Sequence, residues 1–141
     1  MEGEAGLKSL MSEKILTHDG TTVTEKTFDE WHATFAATGK YVCFYFGAHW
    51  APPCRLFLTQ LAENFYNKVN AGGKVVEVVF VTHDRDPEHF KRHFLKMPWV
   101  SIPYTDDHKK ATLGSKFEVS ELPTLVVCDT TGKVIKNDAR E

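Results

Sequence analysis

Cysteine is scarce in this chain, and the segments that direct a protein to a membrane or out of the cell are missing from it. Only Cys43, Cys54 and Cys128 occur among the 141 residues, so they cannot all pair with one another. So sparse a set does not resemble the disulfide framework of a small secreted scaffold. Nothing near Met1 has the basic and then apolar pattern of a secretory signal, and no stretch reaches the ~18 apolar residues of a membrane span. We therefore expect a protein of the reducing cytoplasm.

A strong excess of one charge is lacking as well. The 17 Lys and Arg residues nearly balance the 19 Asp and Glu residues, which leaves a formal net charge of -2. A near-neutral surface gives no electrostatic attraction to nucleic acid or to an anionic membrane, so we predict neither as a partner. The 42% apolar and 26% charged content is that of an ordinary globular domain. We expect residues 1–13 to be a loosely ordered lead-in and residues 14–141 to form a single domain.

The apolar pattern alternates between strand and helix along the chain. It predicts strands near 15–17, 41–46, 75–81, 101–104, 125–128 and 133–135. It predicts helices over 27–37, from about 52 to 72, from 87 to about 96, and from 107 toward 117. Thr27 with Glu30, Asp86 before Pro87, and Asp107 are the expected helix starts. Together these elements predict a central mixed β-sheet flanked by helices, with an antiparallel hairpin at the carboxyl-terminal side.

The hexapeptide Trp50-Ala51-Pro52-Pro53-Cys54-Arg55 looks like a two-cysteine redox motif that lacks its first sulfur. Such a motif needs two thiols, because one attacks a substrate disulfide and the other then resolves the mixed disulfide. A thiol at position 51, at the start of a helix, would have a lowered pKa because of the helix dipole. Cys54, about one turn further, stands at the resolving position. Ala51 can supply neither step.

Three segments resemble the tryparedoxin and nucleoredoxin branch of the thioredoxin superfamily. They are the hexapeptide, the run Lys96-Met97-Pro98-Trp99, and Leu122-Pro123-Thr124, and the similarity extends from about Lys40 to Gly132. The resemblance implies an α/β thioredoxin-like fold without a cofactor. It also implies a cis peptide bond before Pro123. The chain stops at Glu141, near where relatives continue into a further helix, so the domain is expected to lack its last helix.

The resemblance also assigns roles to site residues. Position 51 is the nucleophile position, which the family fills with cysteine, and Cys54 is the resolving cysteine. The substrate-binding residues are expected to be Trp50, Pro52, Pro53, Leu122 and Pro123. The indole of Trp50 would shield the sulfur, and the backbone at Leu122, beside the cis proline, would pair with an extended substrate.

Two functions remain open. In the first, the chain is a tryparedoxin-like thiol-disulfide oxidoreductase disarmed at position 51, so that it is inactive or severely impaired. The working form would be a monomer that carries electrons from a low-molecular-weight dithiol or a reductase to a disulfide-containing protein such as a peroxidase. In the second, Ala51 is natural and the chain is a redox-silent module that binds cysteine-containing peptide segments.

Other chemically capable residues have simpler interpretations. Cys43 and Cys128 lie in apolar strand runs, where burial makes a thiol inert, and Trp31 and Trp99 are expected to pack in the core. His89 and His93 are four residues apart on a predicted helix and could face one metal ion. Helical histidine pairs are common on solvated surfaces, and no carboxylate or thiol partner is placed beside them by a known spacing. We therefore predict no metal site.

Overall fold

The structure is a computed structural model. It describes residues 11, 14–35, 39, 41–48, 57–67, 70–71, 76–82, 84, 86–97, 99–104, 106–117, 119, 122, 124–129 and 134–136, without the side chains of residues 34, 35, 64, 65 and 136.

Seven strands form one sheet within these ranges. They are β1 (Lys14–His18), β2 (Val23–Thr27), β3 (Tyr41–Gly47), β4 (Val76–Thr82), β5 (Val100–Ser101), β6 (Thr124–Asp129) and β7 (Val134–Lys136). Their order across the sheet is β2-β1-β5-β4-β3-β6-β7. β3, β4 and β5 run parallel, whereas the pairs β1–β2, β1–β5, β3–β6 and β6–β7 are antiparallel. The predicted mixed sheet and its antiparallel hairpin at the carboxyl-terminal side are confirmed.

In the described part of the chain, four helical segments cover the sheet. They are α1 (Phe28–Phe35), α2 (described over 57–67), α3 (Pro87–Phe94) and α4 (Asp107–Lys116). Within α2 the stretch Leu61–Tyr66 is π-helical, and the backbone N–H of Asn67 donates to the carbonyl oxygen of Ala62, five residues earlier. None of the described helices is both long enough and apolar enough to cross a membrane.

Side chains at the helix starts satisfy backbone N–H groups that have no partner inside the helix. The capping box before α1 is complete: the N–H of Thr27 donates to Oε1 of Glu30 at 2.9 Å, and the N–H of Glu30 donates to Oγ1 of Thr27 at 3.1 Å. Asp86 caps α3 as predicted. At α4 the expectation was wrong by one residue, because Asp106 and not Asp107 accepts the N–H of Lys109.

The sheet has a hydrophobic core on each face. Alternate residues of β3 contribute to the two cores. On the α1 and α4 side these are Val42, Phe44 and Phe46, and on the α2 and α3 side they are Cys43 and Tyr45. All five are fully buried. This is the pattern expected of a central strand covered by helices on both faces.

Two features at the amino-terminal end differ from the sequence pattern. The pattern indicated no strand at β2, whose sequence Val-Thr-Glu-Lys-Thr is largely exposed, yet all five residues pair with β1. Met11 lies inside the predicted lead-in but is 3% exposed and belongs to the core on the α1 side. The pairing of β2 depends on a partner strand, which a local pattern does not contain.

Candidate functional site

Three strand ends meet at one edge of the sheet. β3 and β4 are parallel, with Gly47 beside Thr82 at their carboxyl ends, and β6 is antiparallel to β3, with Thr124 beside Phe46 at its amino end. The hexapeptide follows β3 after two residues, and Pro123 directly precedes β6. The two segments that carry most of the resemblance therefore join the sheet at neighbouring points.

Most of the predicted site residues lie outside the described part of the chain. These are Trp50, Ala51, Pro52, Pro53, Cys54 and Pro123. Their roles stay predictions. Leu122 is described: it is partly buried and packs against the core on the α1 and α4 side.

Tyr45 lies directly beneath this edge of the sheet. Its side chain is fully buried, and its ring is 5.5 Å from that of Phe80 and 6.2 Å from that of Trp99, measured between centroids. The ring of Phe57, the first described residue of α2, is 5.7 Å away. Gly47 and Phe57 flank the segment that contains the hexapeptide, and Tyr45 contacts the residues at both of its ends.

Gly47 is required by the position of Tyr45. A Cβ atom on Gly47 would lie 2.7 Å from Oη, 2.8 Å from Cζ and 3.0 Å from Cε1 of Tyr45. Distances under about 3 Å are well below carbon contact distances, so any side chain here would displace the tyrosine ring. Glycine at the end of β3 therefore lets the hydroxyl of Tyr45 reach the edge of the sheet.

A buried carboxylate follows the end of β4. Oγ1 of Thr82 donates to Oδ2 of Asp84 at 2.9 Å, and the backbone N–H of Asp84 donates to the same Oγ1 at 2.9 Å. Nδ1 of His93 lies 3.2 Å from Oδ2 of Asp84. The side chain of Asp84 is 0% exposed and that of His93 is 3% exposed. The polar network is therefore shielded from solvent and follows the carboxyl end of β4, the strand beside β3.

The position of His93 corrects the expectation of a solvated histidine pair. Its ring packs edge-on against Phe80 at 5.2 Å, and its Nε2 is buried without a hydrogen-bond partner. His89, by contrast, is partly exposed, and its Nδ1 contacts Oδ2 of Asp86. The two histidines thus differ in environment, and each has a carboxylate beside Nδ1. Among the described residues, no three His, Cys, Asp or Glu side chains are placed to hold one metal ion.

A groove of about 490 Å³ runs between α2 and α3 beside this network. Leu58, Thr59, Ala62 and Glu63 form the α2 wall, and the opposite wall is formed by His89, Arg92, His93 and Lys96. Arg92 is engaged by Glu88 at 3.2 Å, and both of these side chains are exposed. The groove therefore has charges of both signs along its rim.

The two strand cysteines are core residues, as predicted. Cys43 and Cys128 are fully buried. Burial raises the pKa of the Cys43 thiol to about 12, with a smaller contribution from Cys128, and raises the pKa of the Cys128 thiol to about 11. Both stay protonated and unreactive near neutral pH. Trp31 and Trp99 are also buried, as expected.

The family model for Thioredoxin-like proteins matches residues 39–134, which is more than half of the chain and includes the hexapeptide and Leu122-Pro123-Thr124. The chain belongs to the thioredoxin-like family.

Relatives place this thioredoxin-like chain in the tryparedoxin and nucleoredoxin branch, as predicted. Nucleoredoxin of Mus musculus is 41% identical over 102 residues, which are 72% of this chain and 23% of nucleoredoxin. The chain thus spans about a quarter of the length of the curated nucleoredoxins that it matches. Tryparedoxin II of Crithidia fasciculata is 33% identical with a TM-score of 0.79, covering 97% of this chain and 86% of that protein. Tryparedoxin of Trypanosoma brucei has the same identity and TM-score, with 96% and 88% coverage. The thioredoxin-like fold is confirmed.

The sequence pattern did not predict that Tyr45, Asp84 and His93 are buried beside these strand ends. Two local signals point to Asp84 and His93. Asp84 comes just after the parallel strand β4, as the hexapeptide in the chain comes just after the neighbouring parallel strand β3. His93 shares the helical spacing of Phe90, Phe94 and Met97, all of which are buried, so it belongs to the inner face of α3.

Proposed function

We propose that this domain is a tryparedoxin-like thiol-disulfide oxidoreductase whose working form carries cysteine at position 51. In this proposal, Ala51 abolishes or severely impairs the oxidoreductase activity. Family membership supports the proposal. Its main support is the hexapeptide, because each residue around position 51 is the one that the two-cysteine redox motif has there. Residues 14–141 form the functional unit in this proposal. The proposed compartment is the cytoplasm.

The chemistry of the working form is a two-thiol exchange. The thiolate at position 51 attacks one sulfur of a substrate disulfide; the substrate S–S bond breaks, one substrate sulfur leaves as a thiolate, and a mixed disulfide forms. The Cys54 thiolate then attacks the sulfur at position 51, and the second substrate sulfur leaves. Two electrons reach the substrate, and the domain is left as a disulfide between positions 51 and 54. An external dithiol reduces that disulfide and is itself oxidised.

The partners follow from this chemistry. The proposed electron donor is a low-molecular-weight dithiol or a reductase, and the proposed acceptor is a disulfide-containing protein such as a peroxidase. A solved complex of tryparedoxin II with glutathionylspermidine, 33% identical to this chain, supports a small thiol compound on the donor side. Trp50, Pro52, Pro53, Leu122 and Pro123 are the proposed substrate-binding residues. The domain would act as a monomer.

The replacement of one cysteine by alanine is compatible with this fold. A tryparedoxin I variant that carries a cysteine-to-alanine substitution has been solved, and it is 36% identical to this chain with a TM-score of 0.78. We infer that Ala51 removes the nucleophile and leaves the scaffold in place. The loss should therefore be reversible by a single substitution.

Ala51 as it stands favours a second candidate function. A domain without an attacking thiol can still bind extended, cysteine-containing segments beside Leu122 and Trp50 without turning them over. In that case the native coding sequence would specify alanine at position 51.

The deciding experiment compares this chain with its Ala51→Cys variant in dithiol-dependent reduction of a disulfide-bonded protein. We expect turnover only from Ala51→Cys. Ala51→Ser is the matched control, because it adds a side-chain atom of similar size without a thiol. In the double variant Ala51→Cys/Cys54→Ser, the mixed disulfide should accumulate and be visible as added mass.

A folded Ala51→Cys variant that does not turn over would overturn the enzyme proposal. The binding-module function would then be tested directly, by titrating the unsubstituted chain with a cysteine-containing peptide and with its serine counterpart. Weaker binding of the serine peptide would favour the module.

A further inference from the structure

The groove between α2 and α3 has a buried polar atom in its lining that no described residue satisfies. His93 lines the groove, its side chain is 3% exposed, and its Nε2 has no hydrogen-bond partner among the described residues. A buried polar atom without a partner costs about 1–3 kcal/mol, because its contact with water is lost and not replaced. Such atoms are rare in proteins, and a bound ion or ligand is one of their usual causes. The exchange chemistry does not use this atom.

The contact with Asp84 fixes what Nε2 can do. Nδ1 of His93 lies 3.2 Å from Oδ2 of Asp84. A carboxylate accepts hydrogen bonds and does not donate them, so Nδ1 carries the hydrogen of this contact. When Nε2 also carries a hydrogen, the ring donates from both nitrogens, and the carboxylate of Asp84 balances its positive charge. The partner that binds such an N–H most strongly is an anionic oxygen.

The α3 side of the groove supplies two further donors. They are the side chains of Arg92 and Lys96, which line the groove with His93. Arg92 is engaged by Glu88 at 3.2 Å, but the two side chains are 71% and 75% exposed. An exposed ion pair is worth about 0–1 kcal/mol, so the guanidinium can turn to a ligand at little cost. Three side chains with N–H donors therefore line one side of the groove.

The α2 side of the groove offers an apolar surface on an irregular backbone. Leu58 is 7% exposed, and Ala62 is partly buried and packs against the core. Ala62 and Glu63 belong to the π-helical stretch Leu61–Tyr66, and such stretches occur frequently at functional sites. Glu63 is the one carboxylate among the described residues that line the groove. The two sides of the groove thus suit the apolar part and the anionic part of one ligand.

We propose that this groove binds a small molecule that carries an oxyanionic group, either a carboxylate or a phosphate, on a short apolar body. The oxyanion accepts from Nε2 of His93, from Arg92 and from Lys96, and the apolar body packs on Leu58 and Ala62. Nε2 takes up one proton from solvent as the anion binds. The volume of about 490 Å³ lies within the range of about 300–1,000 Å³ that is usual for small-molecule sites. The proposal does not depend on the proposed function.

The first test is an NMR titration of the unsubstituted chain with inorganic phosphate and, separately, with butyrate. The pH is held constant, and chloride keeps the ionic strength constant. We expect saturable shifts of the ring resonances of His93 and of the backbone N–H of Ala62. Saturation with phosphate alone would identify a phosphate ligand, saturation with butyrate alone a carboxylate, and saturation with both would establish the shared oxyanion chemistry. His93 resonances that do not change with either probe, or that change without saturating, would overturn the proposal.

The second test compares two lysines on the same helical segment. Lys91 and Lys96 are both exposed, but only Lys96 lines the groove. Lys96→Met should weaken binding of the probe that saturates by roughly two- to fivefold, the size of an exposed charge contact, and Lys91→Met should not change it. Equal weakening by the two substitutions would show that the ion only responds to the general charge of the surface, and would overturn the site.

Glu63→Gln tests the sign of the ligand charge. Removing the carboxylate on the α2 side should tighten binding of the same probe, by a factor similar to the loss in Lys96→Met. Weaker binding by Glu63→Gln would mean that the groove selects a cation, and would overturn the oxyanion assignment. All three substitutions are at exposed positions, so the fold should be kept, and none of the measurements requires oxidoreductase activity.

Discussion

The indole Nε1 of Trp31 donates a hydrogen bond of 3.1 Å to Oε2 of Glu77, and this bond ties helix α1 to strand β4 inside the protein. The hydroxyl of Tyr66 in α2 donates to Oε1 of the same carboxylate, also at 3.1 Å. Glu77 is 1% exposed. One buried carboxylate therefore connects a helix from each face of the sheet with a central strand.

Glu77→Ala should lower the free energy of unfolding by about 3 kcal/mol, because it removes the acceptor from the two buried side-chain donors Trp31 and Tyr66, each worth about 1–3 kcal/mol. The measurement is equilibrium denaturation by urea. Glu88→Ala is the control. The contact of Glu88 with Arg92 is exposed, so this substitution should change the free energy of unfolding by no more than about 0.5 kcal/mol. Equal effects of the two substitutions would show that Glu77 does not hold these elements together.

Gly47→Ala should destabilise the fold by about 1–3 kcal/mol, because the new Cβ would lie 2.7 Å from Oη of Tyr45 and the buried ring has to move. The same substitution at Gly114 in α4 meets nothing within 4 Å and should stabilise the helix by roughly 0.5–1 kcal/mol. Thermal unfolding of both variants gives the comparison. The close packing of Tyr45 against Gly47 would be contradicted if the two substitutions shifted the midpoint in the same direction.

Cys43 and Cys128 should not react with a thiol reagent in the folded chain near pH 8, because both are buried and their thiol pKa values are raised to about 12 and about 11. Labelling in denaturant should modify all three cysteines, whereas labelling under native conditions should modify at most Cys54. Mass spectrometry of the labelled peptides identifies the sites. Fast native labelling of either strand cysteine would contradict the buried placement.

The same two thiols should make stability fall at alkaline pH. Their pKa values are raised above the ordinary 9.0, so the folded state holds these protons longer than the unfolded state. Their contribution is complete below about pH 9 and is lost as the pH rises toward 11 or 12, by about 1.4 kcal/mol per thiol at pH 10.

The double variant Cys43→Ala/Cys128→Ala isolates this effect, since the other titrating groups cancel in the difference. Its stability should fall less between pH 8 and pH 10 than that of the unsubstituted chain, by about 3 kcal/mol in total. Denaturation midpoints at the two pH values measure the difference. Parallel pH curves for the two proteins would contradict the linkage.

The sequence predicted the elements whose signals are local. The largely apolar runs of β3 and β4, the reciprocal capping of α1 by Thr27 and Glu30, and the Asp86-Pro87 start of α3 all occur as expected. Each depends on residues a few positions apart, so the chain alone contains the information. The sequence did not predict that Asp106 rather than Asp107 caps α4, because two adjacent aspartates give the same local signal.

The sequence by itself also determined the family and the alanine at position 51 of its motif, because a motif is a matter of residue identity and spacing. The tertiary structure decided which distant residues share an environment. Only the register of the sheet brings Gly47 beside Thr82, and only helix packing turns His93 inward onto Asp84 and joins Trp31 and Tyr66 at Glu77. Burial and charge pairing arise from contacts between residues far apart in the chain, and no local pattern specifies those contacts.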